Sequence, residues 1–535
     1  MNSFTRCVFL RKEKTVVADA KGRSLMVAAI LGSLLLSLLY LSAIGPYWNI
    51  TPDSATYVLA GKSLAAGAGY KEMGNPVYPH PPVTSLLLSI FILLFPHNYL
   101  PLNAVITIFA LLSLSFSFIL FKQAVGDIKS TLIVLLSLGS ILLFRESTMI
   151  LSDIFYTFFS ILALVLMNRT NEKEGGLLRC VGVGIMLLVA CFTRLIGVTL
   201  LLAIGIYSLL PILRRRKSAN WGFAVMMFVV LVCVLLWEYR NSLLGYAHIE
   251  LIFQNEAWVD QSGYISPTAL LKRFYVNLGD YTSIGRILTN EIFEHSSMIH
   301  PTVKLFVHLF FPFAVCLGLF TSLKKIPTIT DTYVIIYLLT LGSRTPPIKI
   351  RYFVPILPFL FYYTFLALEY VIQHARNFIR PIVPKMIHAG LVMYIAAYLG
   401  NGITYMVRVI PEEHKSPFGS YPIKRLYYYD TQRLAMWLKD NSRQGESYVC
   451  LHPVMWSVIT ERKGYSFPFS HDANQLLDLL KNEKIRYVLV DKKKAKVHEF
   501  LLPIINAYPK HFDLIKDERE ASLYEFKLEE SVDHN

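Results

Sequence analysis

Three acids and a group of bases stand where their types and spacing could do chemistry. Asp53 follows the first long apolar run in "TPDSATYVLAGKSLAAGAGY" (51–70), Glu146 and Asp153 lie in "RESTMILSDIFYTFF" (145–159), and Arg194 is a lone base inside "ACFTRLIGVTLL" (190–201). Arg344, Lys349 and Arg351 gather at the start of a later run, "IKIRYFVPILPFL" (348–360). A carboxylate among cations offers general-base removal of a proton from a hydroxyl or amine. It also offers a phosphate site, since Arg presents a planar fork to phosphate oxygens and Lys adds a point charge. Plainer readings stand beside these. Asp53 ahead of "SATYVLA" suits a helix N-cap, which stabilises by about 1 kcal/mol and also keeps a carboxylate ionised. Arg145 and Glu146 can satisfy each other, Tyr57 and Tyr352 suit a membrane interface, and bases at span ends can snorkel to headgroups.

A membrane must position these residues. The chain has 535 residues, of which 54% are hydrophobic, with mean hydropathy +0.46, too apolar for a soluble protein of this length. Runs of bilayer-crossing length fall near 24–45, 101–121, 130–148, 154–168, 178–193, 195–213, 219–240, 303–322, 329–343, 352–373 and 385–407, eleven in all. "VTSLLLSIFILLF" (83–95) is shorter and follows Pro81-Pro82, so a helix lying along the membrane surface is expected there.

Charge sets the orientation. With the basic segment 1–23 in the cytosol, the cytosolic connections hold a large excess of Lys and Arg, including "RRRK" (214–217) and Lys324-Lys325. Counting 83–95 as a span would place that tetrad outside, against the positive-inside rule. Eleven spans then leave the C-terminus outside. The net charge of +15 is accounted for by orientation, and nucleic acid is not an expected partner. Residues 1–23 lead into the first span without a small-residue cleavage site, so an uncleaved anchor is expected. The six cysteines imply no disulfide framework. Under this topology Asp53, Arg145, Glu146, Asp153, Arg194, Glu238, Arg240, Arg344, Lys349 and Arg351 all fall at the outer ends of spans, where charges are costly and mark a site.

The chain therefore divides into a basic N-terminus (1–23), a membrane module (24–407) with external loops 46–100 and 241–302, a linker rich in Pro and charge (408–425), and a last domain (426–535). In the loop 241–302, "LLKRFYVNLGDYTSIGRIL" has the pattern of a surface helix. In the last domain helical patterns ("TQRLAMWLKDN", "DANQLLDLLKNEK", "VHEFLLPIINAY") alternate with strand patterns ("SYVCLH", "IRYVLVD", "FDLIK", "SLYEFKL"), which predicts a small α/β fold. No Gly-rich phosphate loop or metal-ligand spacing occurs in it.

"PDSATYVLAGKSLAAGAGY" followed by "YPHPPVTSLLLSIF" resembles the first external loop of the GT-C-fold, polyprenyl-phosphate-dependent glycosyltransferases. That superfamily includes the protein O-mannosyltransferases (glycosyltransferase family 39-like) and the lipid A aminoarabinose transferases. "RESTMILSDIFYTFF", "ACFTRLIGVTLL" and "IKIRYFVPILPFL" resemble its later motifs, in the same order and on the same side. The resemblance implies a polytopic α-helical GT-C-like module with a C-terminal extracytoplasmic α/β domain in a bacterial-type inner (plasma) membrane. It implies transfer of a sugar from a polyprenyl-phosphate donor to a lipid, glycan or protein acceptor. Asp53 would be the general base, with inversion at the anomeric carbon. Glu146, Asp153 and Tyr57 would orient the acceptor or the site, and Arg194, Arg344, Lys349 and Arg351 would bind the donor phosphate.

One departure concerns metal. Many relatives have a second acid beside the first, whereas Asp53 is followed by Ser54. The cofactor stays open, either none or a divalent metal, and a divalent ion would need Glu146, Asp153 or His80 to converge on Asp53. His80, between two prolines, reads first as a loop residue and only second as a ligand. Two other functions use the same charges. One is a transporter or flippase for lipid-linked glycans, against which the spans show no internal repeat. The other is a polymerase or ligase with a pyrophosphate-linked donor, in which Asp53 would be dispensable.

Overall fold

The structure, a computed structural model, describes residues 3–77, 80–96, 98–169, 176–213, 221–244, 265–292, 300–325, 327–345, 347–375, 382–415 and 429–527. The basic tetrad 214–217, most of the expected linker and the centre of the loop 241–302 lie outside the described residues.

Helices dominate. After α1 (Ser3–Ser42) come α2 (Pro52–Ala65), a short hairpin of β1 (Lys71–Glu72) and β2 (Asn75–Pro76), and α3 (Val83–Leu94), a separate short helix. α4 (Leu100–Leu138) holds one apolar run and the start of the next, because Gly126 breaks it at φ 78°, a left-handed value open to glycine without a Cβ penalty. α5 (Ile141–Ser147) and α6 (Ser152–Arg169) meet at a bend of 111°. α7 (Gly176–Thr193) and α8 (Val198–Leu213) are parted by Arg194 and one 3-10 turn, and α9 (Trp221–Leu243) follows. Beyond it lie α10 (Pro267–Asp280), α11 (Ser283–Leu288), α12 (Pro301–Lys325) and α13 (Ile329–Ser343). A 3-10 segment (Ile350–Ile356) leads into α14 (Leu357–Ala375), and α15 (Ile382–Glu413) closes the module.

Six of the described helices are long and apolar enough to cross a membrane, or seven if the bent pair α5–α6 is one span. That is fewer than the eleven apolar runs. The runs on α7, α8 and α13 form helices of 10–17 residues, and α4 counts once despite its break. Lipid is the solvent the outer surface requires. On α1, Leu31 (60%), Leu34 (58%) and Leu38 (62%) face outward, while Leu36 and Tyr40, each 1% exposed, face the module's core. The helices thus carry their apolar stripes outside as well as inside, as a bilayer allows and water does not.

α15 continues past residue 407 to Glu413, into the stretch expected to be linker. The last domain opens with α16 (Tyr429–Asn441), followed by β3 (Ser447–Cys450), α17 (Pro453–Thr460), β4 (Gly464–Ser466), α18 (Ala473–Asn482) and β5 (Ile485–Asp491). A π-helical turn (Val497–Leu501) runs into α19 (Leu502–Ala507), and β6 (Phe512–Asp517) and β7 (Ala521–Phe526) end the fold. The five strands lie in the order β4-β3-β5-β7-β6, with β3 parallel to β4 and β5, and β7 antiparallel to β5 and β6. Along β5, Tyr487 and Leu489 join the core under α16 and α17, while Val488 and Val490 join the core under α18 and α19. Burial on both faces explains why "IRYVLVD" is nearly continuous apolar sequence.

The first of those cores does not stop at the domain. Met455 and Trp456 of α17 belong to the same buried cluster as Trp48 and Tyr57 of the membrane module, and α17 packs against α2. The α/β domain sits on the segment between α1 and α4.

Candidate functional site

The loop between α1 and α4 fixes α2 through polar bonds that apolar pattern does not reveal. Asn103 Nδ2 donates to the carbonyls of Gly45 (2.9 Å) and Tyr47 (2.8 Å). Trp48 stacks on Tyr99 at 5.1 Å and donates from Nε1 to Ser54 Oγ at 3.1 Å. The N-cap of α2 is Thr51, in a reciprocal box. Its Oγ1 accepts from Ser54 N (3.0 Å) and Ser54 Oγ accepts from Thr51 N (2.7 Å), with Pro52 at the first helical position. Asp53 is therefore not the cap, as its plainer reading held, and its carboxylate is left for other partners. On its far side α2 meets α3 closely: a Cβ on Gly61 would lie 3.2 Å from the Ser85 carbonyl oxygen.

The partner of Asp53 is Arg351. Nη2 lies 2.5 Å from Asp53 Oδ2, and the two side chains are 17% and 33% exposed. Burial works against the charge on Asp53, but Arg351, then His80 and Lys349, outweigh it and hold the carboxyl well below the usual carboxylate range. One turn further along α2, the Tyr57 hydroxyl hydrogen-bonds Ser152 Oγ (2.9 Å) and His80 Nδ1 (3.2 Å). Burial, reinforced by Asp53, keeps that phenol protonated.

Ser152 and Asp153 open α6 and bring in the next base. Arg194 lies 2.5 Å from Asp153 Oδ2 and donates to Ser152 Oγ at 3.3 Å. Its position in the break between α7 and α8 frees the side chain from either helix. Arg344, Arg351 and Arg194 stand over the ring of Tyr352, with guanidinium carbons 4.5, 5.5 and 5.6 Å from its centroid. Such cation–π contacts offset part of the repulsion among the three. Lys349 is within electrostatic reach of Asp53 and Tyr352. The segment holding these bases is tied to α10: Asn277 Nδ2 donates to the carbonyls of Gly342 (2.8 Å) and Arg344 (2.7 Å), and Asp280 Oδ2 accepts from Ile348 N (2.8 Å).

Asp53, Tyr57, His80, Asp153, Arg194, Arg344, Lys349 and Arg351 thus form one polar cluster centred on Ser152 and Tyr352. Glu146 is buried (3% exposed) and pairs with its neighbour Arg145 at 3.3 Å, the local pairing anticipated for it, while remaining within electrostatic reach of Asp153 and Arg351. Arg240 serves the loop instead, donating to the Val77 carbonyl at 3.1 Å. Among the described residues no three His, Cys, Asp or Glu side chains come together as a metal cage. Asp53 and His80 are one acid and one imidazole, with a guanidinium already on the acid, so the donor set fits an anion better than a cation. Thr51, Ser152, Asn277 and Asp280 were not singled out in the sequence. Short polar residues at helix starts and ends carry no pattern beyond capping preference.

Comparison with known proteins agrees with this architecture. Residues 79–237 match the family model described as dolichyl-phosphate-mannose-protein mannosyltransferase. Over 93% of this chain and 97% of the other, the fold is similar to ArnT from Cupriavidus metallidurans bound to undecaprenyl phosphate, with TM-score 0.58 and 12% identity. It is also similar to the oligosaccharyltransferase AglB of Archaeoglobus fulgidus in complex with an inhibitory peptide and a dolichol-phosphate. That match has TM-score 0.55 and 11% identity over 91% of this chain and 72% of the other. No curated protein sequence matches. The fold is that of the GT-C glycosyltransferases, as the motifs implied.

Proposed function

We propose that the protein is an integral-membrane glycosyltransferase that transfers a sugar from a polyprenyl-phosphate donor to a hydroxyl or amine of a lipid, glycan or protein acceptor. The N-terminus lies in the cytosol and the α/β domain outside it, in a bacterial-type inner membrane. The observation that carries this function is the contact of Asp53 with Arg351 inside a cluster of bases held around Tyr352. Asp53 faces the Arg351 guanidinium, and Asp153 is held by Arg194, so the acid is set up as a base rather than as half of a hydrolytic carboxylate pair, and four cations suit a phosphate.

The mechanism follows from those positions. The donor's phosphodiester settles on Arg351, Lys349, Arg194 and Arg344 and draws Arg351 from Asp53. The carboxylate, relieved of its partner, becomes more basic and faces the acceptor. As the acceptor oxygen or nitrogen forms its bond to the anomeric carbon, its proton passes to Asp53. The bond from that carbon to the phosphate oxygen breaks on the opposite face, its electron pair leaves with the polyprenyl phosphate, and the cations stabilise the charge that develops. The anomeric carbon is inverted. Tyr57 and Asp153 act by position, Tyr57 tying α2 to Ser152 and Asp153 holding Arg194 directly.

Lipid mass spectrometry on cells lacking the protein, complemented with wild type or Asp53→Asn at matched membrane abundance, tests this function. A polyprenyl-phosphate sugar is expected to accumulate in the null and with Asp53→Asn and to return to baseline with wild type. Equal lipid profiles in all three strains would reject it.

A further inference from the structure

α2 and α17 come from opposite ends of the chain and pack against each other, and two charge pairings give their relative direction. His452, the N-cap position of α17, is within electrostatic reach of Asp53 in the first turn of α2. Glu461, just past the other end of α17, acts in the same way on Lys62 near the other end of α2. Asp53 to Lys62 and His452 to Glu461 are equal steps of nine residues, about 13 Å of helix in each case. α17 packs against α2, and its Met455 and Trp456 are buried to 0% and 2% exposure in the core cluster that also holds Tyr57 and Val58 of α2. The docked domain therefore brings its β3–α17 turn within electrostatic reach of the acid, on an element distinct from the one that carries Arg351.

The surroundings of His452 favour a neutral ring. Burial, then Lys494 of the same domain, push the imidazole down to about 4, with Lys349 and Lys496 adding to the effect and Asp53 opposing it. A neutral imidazole has one nitrogen that donates and one that accepts. It can hold a hydroxyl or amine without taking its proton, which is what an acceptor group beside a separate base requires.

We propose that the α/β domain forms one wall of the acceptor subsite, and that His452 is the positioning residue that holds the acceptor's nucleophilic hydroxyl or amine against Asp53. The donor phosphate lies on the Arg351 side of the carboxylate and the acceptor on the α17 side. This inference rests on the transferase function proposed above and adds to it which domain receives the acceptor.

The test separates acceptor from donor. Purified full-length His452→Ala is expected to bind undecaprenyl phosphate within about twofold of wild type, since the neutral ring it removes carries no charge for the phosphate and all four donor-side cations remain. Cells carrying it at matched membrane abundance should accumulate the lipid-linked sugar as Asp53→Asn cells do. His452→Gln, which keeps a donor and an acceptor, should restore at least about half of the transfer. Weakened lipid-phosphate binding by His452→Ala, or no accumulation in its cells, overturns the proposal. Docking is read independently by cross-linking the full-length Lys62→Cys/Glu461→Cys protein with a short bis-maleimide: an intramolecular cross-link is expected, and its absence also overturns the proposal. If donor lipid stays at wild-type level even with Asp53→Asn, the transferase function itself fails, and with it this extension.

Discussion

Asp53 and an incoming phosphate compete for one guanidinium. Arg351 lies 2.5 Å from Asp53, so a phosphate that takes Arg351 must draw it from an anion that also repels the phosphate. Asp53→Asn removes that competitor with almost no change in volume. Two anions on either side of one guanidinium stand about 6 Å apart, and at an effective dielectric of roughly 20 they repel by about 3 kcal/mol. A third of the Asp53 side chain is exposed (33%), and screening leaves about 1–2 kcal/mol, or about 5- to 30-fold in affinity. Asp53→Asn should therefore bind undecaprenyl phosphate about 5- to 30-fold more tightly than wild type while losing transfer. Arg351→Gln should bind it about 10- to 150-fold more weakly, the value of one hydrogen bond to a charged group. Titration of the purified proteins in nanodiscs, followed by native mass spectrometry, reads both. An Asp53→Asn protein that binds the lipid phosphate more weakly than wild type would show that Asp53 supports the phosphate site, and the competition model would be wrong.

Thr51→Ala removes the cap of α2 and should cost about 1 kcal/mol together with part of the transfer activity, whereas Thr51→Ser should be near neutral. Equal effects of the two would mean the hydroxyl does not hold Asp53 in place. Asn277→Ala leaves the carbonyls of Gly342 and Arg344 without their shared donor, costing about 1–3 kcal/mol, and should weaken undecaprenyl phosphate binding. Unchanged binding would remove Arg344 from the phosphate site. His452 is held down to about 4 from an ordinary 6.5. Between those pH values the unfolded chain takes up a proton that the docked domain refuses, so stability present at pH 7 falls as the pH drops through that window. At about 1.4 kcal/mol per pH unit, reduced for a half-buried ring, the loss is on the order of 1–2 kcal/mol. Thermal unfolding at pH 7 and pH 5 should show a smaller drop for His452→Gln than for wild type; equal drops would exclude His452 as the source.

Much of this fold was legible because lipid simplifies the code. Apolar runs marked the helices of the module, and Pro81-Pro82 ahead of a short run marked α3 as a separate piece. The break at Gly126 was not legible, since a glycine between two runs looks like any other until its φ is known. In the last domain four of the five strands announced themselves, β4 being three residues long and too short to show a period, and α17 did not announce itself either: "PVMWSVIT" packs against both the sheet domain and α2, so it shows no helical period. The site divides in the same way. Charges stranded at span ends singled out Asp53, Arg194, Lys349 and Arg351, which the structure brings into one cluster, because lipid makes such placements costly. Which of them touch, and that Thr51 rather than Asp53 caps α2, depends on contacts across about 300 residues of sequence that no spacing rule reaches. His452 was invisible for the same reason, being ordinary in its own domain and notable only once that domain rests on the first loop.

The most direct test of the central claim follows the donor's phosphorus. The lipid-linked sugar that accumulates in null cells would be purified, reconstituted in vesicles with wild-type or Asp53→Asn protein and an acceptor-containing membrane extract, and read by phosphorus NMR. With wild type the phosphodiester signal should convert one for one into polyprenyl phosphate monoester, and with Asp53→Asn it should persist. A phosphodiester that crosses the bilayer intact, or a conversion indifferent to Asp53, would contradict the account.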